Sequence, residues 1–103
     1  MTQQDDRPMV LVVSFHARPD TYEELRRRLL ELVELTCVEP GCLRYELHTC
    51  DDDPLQLTFV ETWASADAHA AHDETAHVRA IQADIPRLVS RPLTVHRLRR
   101  ITR

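Results

Sequence analysis

The first third of the chain passes from an apolar run to a helical stripe of apolar residues. Residues 10–17 are mostly apolar or β-branched and lie between Pro8 and the turn Arg18-Pro19-Asp20, which predicts a strand that is apolar on both faces. From Thr21 the apolar residues recur at helical spacing, and Glu24 three positions later predicts a capping box. The stripe consists of Tyr22, Leu25, Leu29, Leu32 and Thr36. We therefore expect an amphipathic helix that covers a sheet.

Two alternating segments follow and predict an antiparallel hairpin. The turn Glu39-Pro40-Gly41 ends the helix, and residues 42–49 then alternate between apolar and charged side chains. A second alternating segment covers residues 55–63, after a turn over residues 51–54. The apolar face of the first segment comprises Leu43, Tyr45 and Leu47, and the corresponding face of the second comprises Leu55, Leu57, Phe59, Glu61 and Trp63.

The last third of the chain predicts a broken helix and a final strand. Helical character begins near Ser65, is interrupted around residues 72–75 and resumes as far as Leu88, with Pro86 inside the last stripe. Residues 93–101 predict the closing strand. The order β-α-β-β-α-α-β is that of an α+β, ferredoxin-like split βαβ fold with an antiparallel four-stranded sheet. Right-handed crossovers place both helical regions on one face of that sheet.

The length of 103 residues accommodates one domain, which we place at residues 9–103 after a disordered N-terminal tail over residues 1–8. Residues 10–13 are apolar at every position, and the hairpin supplies more large apolar side chains than one helical layer needs. These side chains are Leu43, Tyr45, Leu57, Phe59 and Trp63. We therefore expect the uncovered face of the sheet to pack against a second copy, which makes the protein a homodimer.

Composition excludes several classes of function. No apolar run approaches the ~20 residues of a membrane span, and the polar start of the chain lacks the features of an export signal, so we expect a cytoplasmic protein without a membrane partner. The net charge of −4 argues against a nucleic-acid partner. Gly41 is the only glycine, so glycine-rich nucleotide-binding loops are excluded. Cys37, Cys42 and Cys50 are expected to be reduced.

Three stretches of the chain, residues 39–47, 59–63 and 71–77, carry a family resemblance. They contain Gly41-x-x-x-Tyr45, Glu61-x-Trp63 and histidines on a short helix, in that order. With the order of elements, they resemble the antibiotic biosynthesis monooxygenase family, in particular its quinol-monooxygenase-like branch. The resemblance implies a dimeric α+β barrel with a pocket between sheet and helices in each subunit. It also implies insertion of oxygen from O₂ into a small phenol or hydroquinone without metal or flavin.

Such a reaction needs a proton acceptor, because the deprotonated hydroquinone reduces O₂ far better than the neutral form. His72 is the predicted catalytic base, since histidine titrates near neutral pH and the family pattern places this residue at the pocket. The alternative is that His72 only supports the helix break. His77 belongs to the same segment and is predicted to line the pocket entrance, or else to lie on the surface.

Three further residues are candidates for contact with the substrate. Trp63 would stack on a planar ring, or else be chiefly core. Tyr45 would donate a hydrogen bond to a substrate oxygen, or else pack in the core. Glu61 shares an apolar strand face, so its carboxylate must be paired, hydrogen-bonded or protonated; it would orient a histidine or meet Arg44 or Arg97.

No metal or other cofactor is expected. His69 and His72 share a helix face, and Cys42, His48 and Cys50 share a strand face, but neither set has a zinc-site spacing. Haem-degrading proteins of this fold use Asn, Trp and His, and the chain contains no asparagine. The predicted function is a cofactor-independent monooxygenase that acts on a small quinol or polyphenol. The alternatives are a non-catalytic dimer that binds an aromatic or hydrophobic metabolite, and a proton-transfer isomerase on the same scaffold.

Overall fold

The alternating and helical segments fold into four strands and three helices. In the structure, a computed structural model that describes residues 7–103, the strands are β1 (Met9–His16), β2 (Cys42–Cys50), β3 (Asp53–Trp63) and β4 (Thr94–Leu98). The helices are α1 (Tyr22–Thr36), α2 (Ala66–Asp73) and α3 (Ala76–Leu88). The predicted tail over residues 1–8 falls mainly on residues 1–6, which lie outside the described residues.

The strands form one sheet in the order β2-β3-β1-β4, and every neighbouring pair is antiparallel. This order is that of the ferredoxin-like split βαβ fold, so the predicted fold class is confirmed. The register places Leu11 opposite Glu61 on one side and opposite Arg97 on the other. Glu61, Leu11 and Arg97 therefore form one row across the sheet, with their side chains on the same face.

The core lies between the sheet and the helices. The alternation of apolar residues in the strands and their helical spacing in the helices predict this arrangement. Leu25, Leu29 and Leu32 of α1 are buried, and so are Val78 and Ile81 of α3. From the sheet they meet Leu11, Phe15, Tyr45, Leu57, Phe59 and Trp63. Trp63, at the end of β3, has no exposed surface, and Leu57 and Phe59 of the same strand are each 1% exposed.

The predicted alternation in β2 is wrong at Leu43. The pairing of β2 with β3 shifts between Cys42 and Arg44, where a β-bulge inserts one residue. Cys42 consequently lies opposite Trp63 on the covered face, whereas Leu43 is 61% exposed. The period of two resumes with Tyr45, which lies opposite Glu61.

The predicted capping box at the start of α1 is not formed. The Thr21 hydroxyl instead donates a hydrogen bond of 2.7 Å to the carbonyl of Leu88, at the end of α3. Glu24, at the start of α1, accepts two hydrogen bonds from Arg87, at the end of α3. The start of α1 and the end of α3 are thus joined by tertiary contacts that replace the local cap.

The uncovered face of the sheet is less apolar than the sequence suggests. Leu57, Phe59, Tyr45 and Trp63 all pack beneath the helices, so the expectation that they would exceed the needs of one helical layer is wrong. The uncovered face presents Val10, Val12 and Val60 beside polar groups such as Ser14 and Thr58, whose hydroxyls hydrogen bond to each other at 3.0 Å. Homodimer formation stays a prediction.

Two expectations from composition can be compared with the structure. Cys37, Cys42 and Cys50, the three cysteines of the sequence, are all free. Within residues 7–103, no helix is both long and apolar enough to cross a membrane.

The turn before β2 depends on Gly41. Its φ of +80° lies in the left-handed region, and a Cβ at this position would lie 2.5 Å from the Cβ of Ala68 in α2. The Gly41 carbonyl also accepts a hydrogen bond of 2.7 Å from the Ala64 amide. The turn is therefore in close contact with the segment at the start of α2.

We predict that Gly41→Ala lowers the free energy of unfolding by about 2–4 kcal/mol, from the backbone cost of a left-handed residue and from overpacking against Ala68. Urea denaturation measures the loss. In an Ala68→Gly background, Gly41→Ala should lower the free energy of unfolding by a smaller amount. The Cβ of Ala68 is then absent, so only the backbone cost of the left-handed residue remains. A Gly41→Ala variant within about 0.5 kcal/mol of the wild type would contradict this account of the turn.

Candidate active site

A cavity of about 300 Å³ opens between the covered face of the sheet and helices α2 and α3. Its walls are mainly apolar, with Leu11, Val13 and Phe59 from the sheet and Ile81 and Ile85 from α3. The ionisable groups in its lining are Tyr45, Glu61, His69, His72, Asp73 and Arg97. An apolar cavity with a few convergent polar groups is typical of a site for a small organic ligand.

The break between α2 and α3 fixes the position of His72. Ser65 caps α2 by accepting a hydrogen bond from the Ala68 amide, and Thr75 caps α3 by accepting one from the Val78 amide. The Thr75 hydroxyl also donates to the carbonyl of His72 at 2.7 Å. His72 lies in the last turn of α2 and is 4% exposed.

A carboxylate from a distant turn holds His72 and His77 together. Both oxygens of Glu39 lie 3.1 Å from Nδ1 of His72, and Oε2 lies 2.6 Å from Nε2 of His77. An ionised carboxylate can only accept, so Nδ1 of His72 carries the hydrogen in this pair. Within residues 7–103 the hydrogen bonds of the His72 ring are made through Nδ1 and none through Nε2, and His72 lines the cavity.

The aromatic side chains of the sheet form the surface on which His72 rests. The ring centres of His72 and Trp63 are 4.7 Å apart, and those of His72 and Tyr45 are 5.5 Å apart. Trp63 is fully buried and lies behind His72 rather than in the cavity wall, so its predicted stacking on a substrate finds no support in this geometry. Tyr45 does line the cavity, and burial raises the pKa of its phenol, which stays a neutral donor. Its nearest hydroxyl neighbour is Thr36, whose Oγ1 has no hydrogen bond of standard geometry within residues 7–103.

Glu61 lies on β3 with its carboxyl group in the cavity lining. Its Oε1 accepts a hydrogen bond of 2.9 Å from Nε1 of Trp63. Burial raises the pKa of Glu61 to about 7, against the opposing effect of that hydrogen bond. The suggested ion pairs of Glu61 are not formed within the described part of the chain: Arg44 pairs with Glu46 on the other face, and Arg97 lies beyond Leu11 in the same row.

One set of side chains has the composition of a metal site. It is neither the pair His69 and His72 nor the strand set of Cys42, His48 and Cys50. Glu39, His72 and His77 bring three ligand atoms within 4.8 Å of one another. The same atoms already satisfy one another by hydrogen bonds, so we assign no ion to them. The strand set is divided by the bulge, because Cys42 lies on the covered face and His48 lies opposite Thr58 on the other.

The local sequence predicts a helix-ending turn at Glu39 and no role in a site for this residue. A negative charge after a helix C-terminus is unfavourable, and this is the one signal in the sequence for a tertiary partner. His69 lines the cavity, with its ring centre 5.9 Å from that of Trp63. Burial lowers the pKa of His69, and Asp73 opposes this effect. His77 contacts Glu39 and lies outside the cavity lining.

Comparisons with known proteins agree with this fold. The sequence matches the model of a family described as antibiotic biosynthesis monooxygenase over residues 8–84. It is 30% identical over 88 residues to “Putative monooxygenase Rv0793” of Mycobacterium tuberculosis, covering 85% of this chain and 86% of that protein. It is 24% identical over 90 residues to the protein sll1783 of Synechocystis, covering 87% of this chain but only 61% of that protein.

Two solved structures have nearly the same backbone. The structure of Rv0793 superposes with a TM-score of 0.88 at 28% identity, covering 93% of this chain and 97% of that one. The structure of PA3566 from Pseudomonas aeruginosa also gives 0.88, at 27% identity, covering 98% of this chain and 100% of that one. The predicted family resemblance is thereby confirmed.

The raised pKa of Glu61 predicts a pH-dependent stability difference between the wild type and Glu61→Gln. Between its ordinary value of 4.5 and about 7, Glu61 is ionised in the unfolded chain but protonated in the folded one. The folded state then binds more protons, so stability falls as pH rises across this window. Relative to Glu61→Gln, the wild type should lose up to about 3 kcal/mol of unfolding free energy.

Urea denaturation of both proteins at pH 5, 6, 7 and 8 measures this difference. The histidines and other acids titrate in both proteins, so their contributions cancel. A constant difference across this range would show that Glu61 keeps an ordinary pKa in the folded protein.

Proposed function

The chain belongs to the antibiotic biosynthesis monooxygenase family, and on this basis we propose that it is a cofactor-independent monooxygenase that oxidises a small quinol or polyphenol with O₂. The family and its named relatives support a general monooxygenase-like function. The observation that carries the finer proposal is the hydrogen-bonded pair of Glu39 and His72 at the wall of an apolar cavity.

The first step is transfer of a phenolic proton to Nε2 of His72. Free phenols ionise near pH 10, so about three pH units, or roughly 4 kcal/mol, separate the neutral phenol from its reactive anion at pH 7. Glu39 holds His72 in the tautomer whose Nε2 can accept that proton, and its charge stabilises the imidazolium that forms. His72 in turn is held against Trp63, which limits its rotation.

The substrate supplies the electrons, so the reaction balances without a reductant. The quinol anion reduces O₂, one oxygen atom forms a bond to a ring carbon, and the O–O bond breaks. Two phenolic protons and one ring proton are released: two of them leave with the second oxygen as water, the third stays on the new hydroxyl group, and the product is a hydroxylated quinone. The largely apolar walls suit this step, because they exclude water from the reactive anion.

Oxygen uptake with a panel of quinols, in the presence of a chelator and without added flavin, tests this function. We expect uptake and formation of a hydroxylated quinone. Binding without turnover would favour a non-catalytic binding protein instead, and turnover without oxygen consumption would favour a proton-transfer isomerase.

We predict that His72→Ala lowers the rate of quinol oxidation by about 10²- to 10⁴-fold, because the base is lost while the cavity remains. Arg27→Ala is the control, since Arg27 is exposed on α1, where it pairs with Glu31 away from the cavity and from the sheet. It should retain the wild-type rate. A folded His72→Ala protein with an undiminished rate would remove His72 from the mechanism.

We further propose that the protein acts as a homodimer through the uncovered face of its sheet. Val10, Val12 and Val60 form an apolar strip there, and Leu98 of the edge strand β4 is 49% exposed. A dimer should persist in sedimentation at low micromolar concentration. A stable monomer under those conditions would contradict this proposal.

A further inference from the structure

Glu61 is a buried carboxyl group of the cavity lining that the deprotonation step does not use. It lies on β3, an interior strand of the sheet, and is 4% exposed. Its neighbours on the covered face of the strand are the aromatic residues Phe59 and Trp63. A carboxyl group at such a position is costly unless its polar atoms find partners.

Within residues 7–103, only one of the two carboxyl oxygens of Glu61 has a hydrogen-bond partner. Oε1 accepts the hydrogen bond from Trp63, and Oε2 has no hydrogen-bond partner within residues 7–103. A glutamine at this position would serve the indole N–H equally well, so the contact with Trp63 does not by itself explain a carboxyl group. Because Glu61 lines the cavity, Oε2 is available to water or to a ligand bound there.

Glu61 and His72 are held beside the same indole. Trp63 donates its N–H to Glu61, and its ring system packs against the ring of His72. Leu11, Tyr45 and Phe59 line the cavity near these two groups. The arrangement offers apolar walls for an aromatic ring, with Glu61 and His72 as polar partners for two oxygens on that ring.

The protonation state of Glu61 suits an oxygen ligand. Burial keeps the carboxyl group protonated up to about neutral pH, because its pKa is raised to about 7. A protonated carboxyl donates through its O–H and accepts through its carbonyl oxygen, so it can pair with a hydroxyl or with a quinone oxygen. The carboxyl group can therefore hydrogen bond both to a hydroxyl of the substrate and to a quinone oxygen of the oxidised product.

We propose that Glu61 contacts the second oxygen of a dihydroxy aromatic whose first oxygen meets His72, so that the site selects dihydroxy aromatics over monophenols of the same size. This inference rests on the proposed function in that His72 receives the first hydroxyl. A site built to bond a hydroxyl rejects an analogue that lacks it, because the buried partner is then left without a hydrogen bond.

The test is an anaerobic binding titration with hydroquinone and with para-cresol, in which a methyl group replaces one hydroxyl. Trp63 is the only tryptophan in the chain and contacts both polar groups, so its fluorescence reports ligand binding. The wild type should bind hydroquinone about ten-fold or more tightly than para-cresol. Glu61→Gln should keep most of this preference, because the amide also donates and accepts.

Glu61→Leu should reduce the preference to within about two-fold, and Glu61→Met serves the same purpose if the leucine variant does not fold. Equal binding of both ligands by the wild type would overturn the proposal. So would an unchanged preference in the folded leucine or methionine variant. Because no O₂ is present, loss of selectivity is distinguishable from failure of the monooxygenase function. If the protein prefers hydroquinone but consumes no O₂, the role of Glu61 in selectivity holds and the proposed monooxygenase reaction is wrong.

Discussion

The carboxylate of Glu39 ties three separate parts of the chain to one point. It follows α1 in the turn that Gly41 makes possible, and it contacts His72 and His77 on either side of the break between α2 and α3. A carboxylate that is 12% exposed needs partners for both oxygens, and the two histidines supply them. The turn, the helix break and the side of the cavity that carries His72 therefore depend on one hydrogen-bonded cluster.

The cavity lining contains two polar groups, His72 and Glu61, that lie in different environments. His72 is hydrogen-bonded through Nδ1 to the carboxylate of Glu39, which fixes the orientation of its ring. Glu61 lies in an apolar environment, which favours the neutral acid against the opposing effect of the hydrogen bond from the indole N–H. Trp63 contacts both groups, and its complete burial makes it a rigid support rather than a movable wall. A rigid support preserves the spacing between a proton acceptor and a hydrogen-bond donor, and selection of a substrate by two oxygens requires such a spacing.

The fold alone does not determine this chemistry. The structures of Rv0793 and PA3566 share the backbone at 28% and 27% identity, so most side chains differ while the path of the chain is kept. Function on a shared scaffold depends on the side chains that a cavity presents. In this chain the cavity lining includes Glu61 on an interior strand and His72, which the Glu39 cluster holds in place.

Periodic features of the sequence determined the order of elements, the covered face of β3 and the interruption of the helix before α3, because each depends on residues a few positions apart. Tertiary structure alone decided the bulge at Leu43, since register depends on the partner strand, and the bond from Thr21 to Leu88, which replaced a local cap. It also decided the role of Glu39, whose partners lie 33 and 38 residues away. A lone acidic residue in a turn has no period, so its partners became identifiable only when folding brought the turn against the helix break.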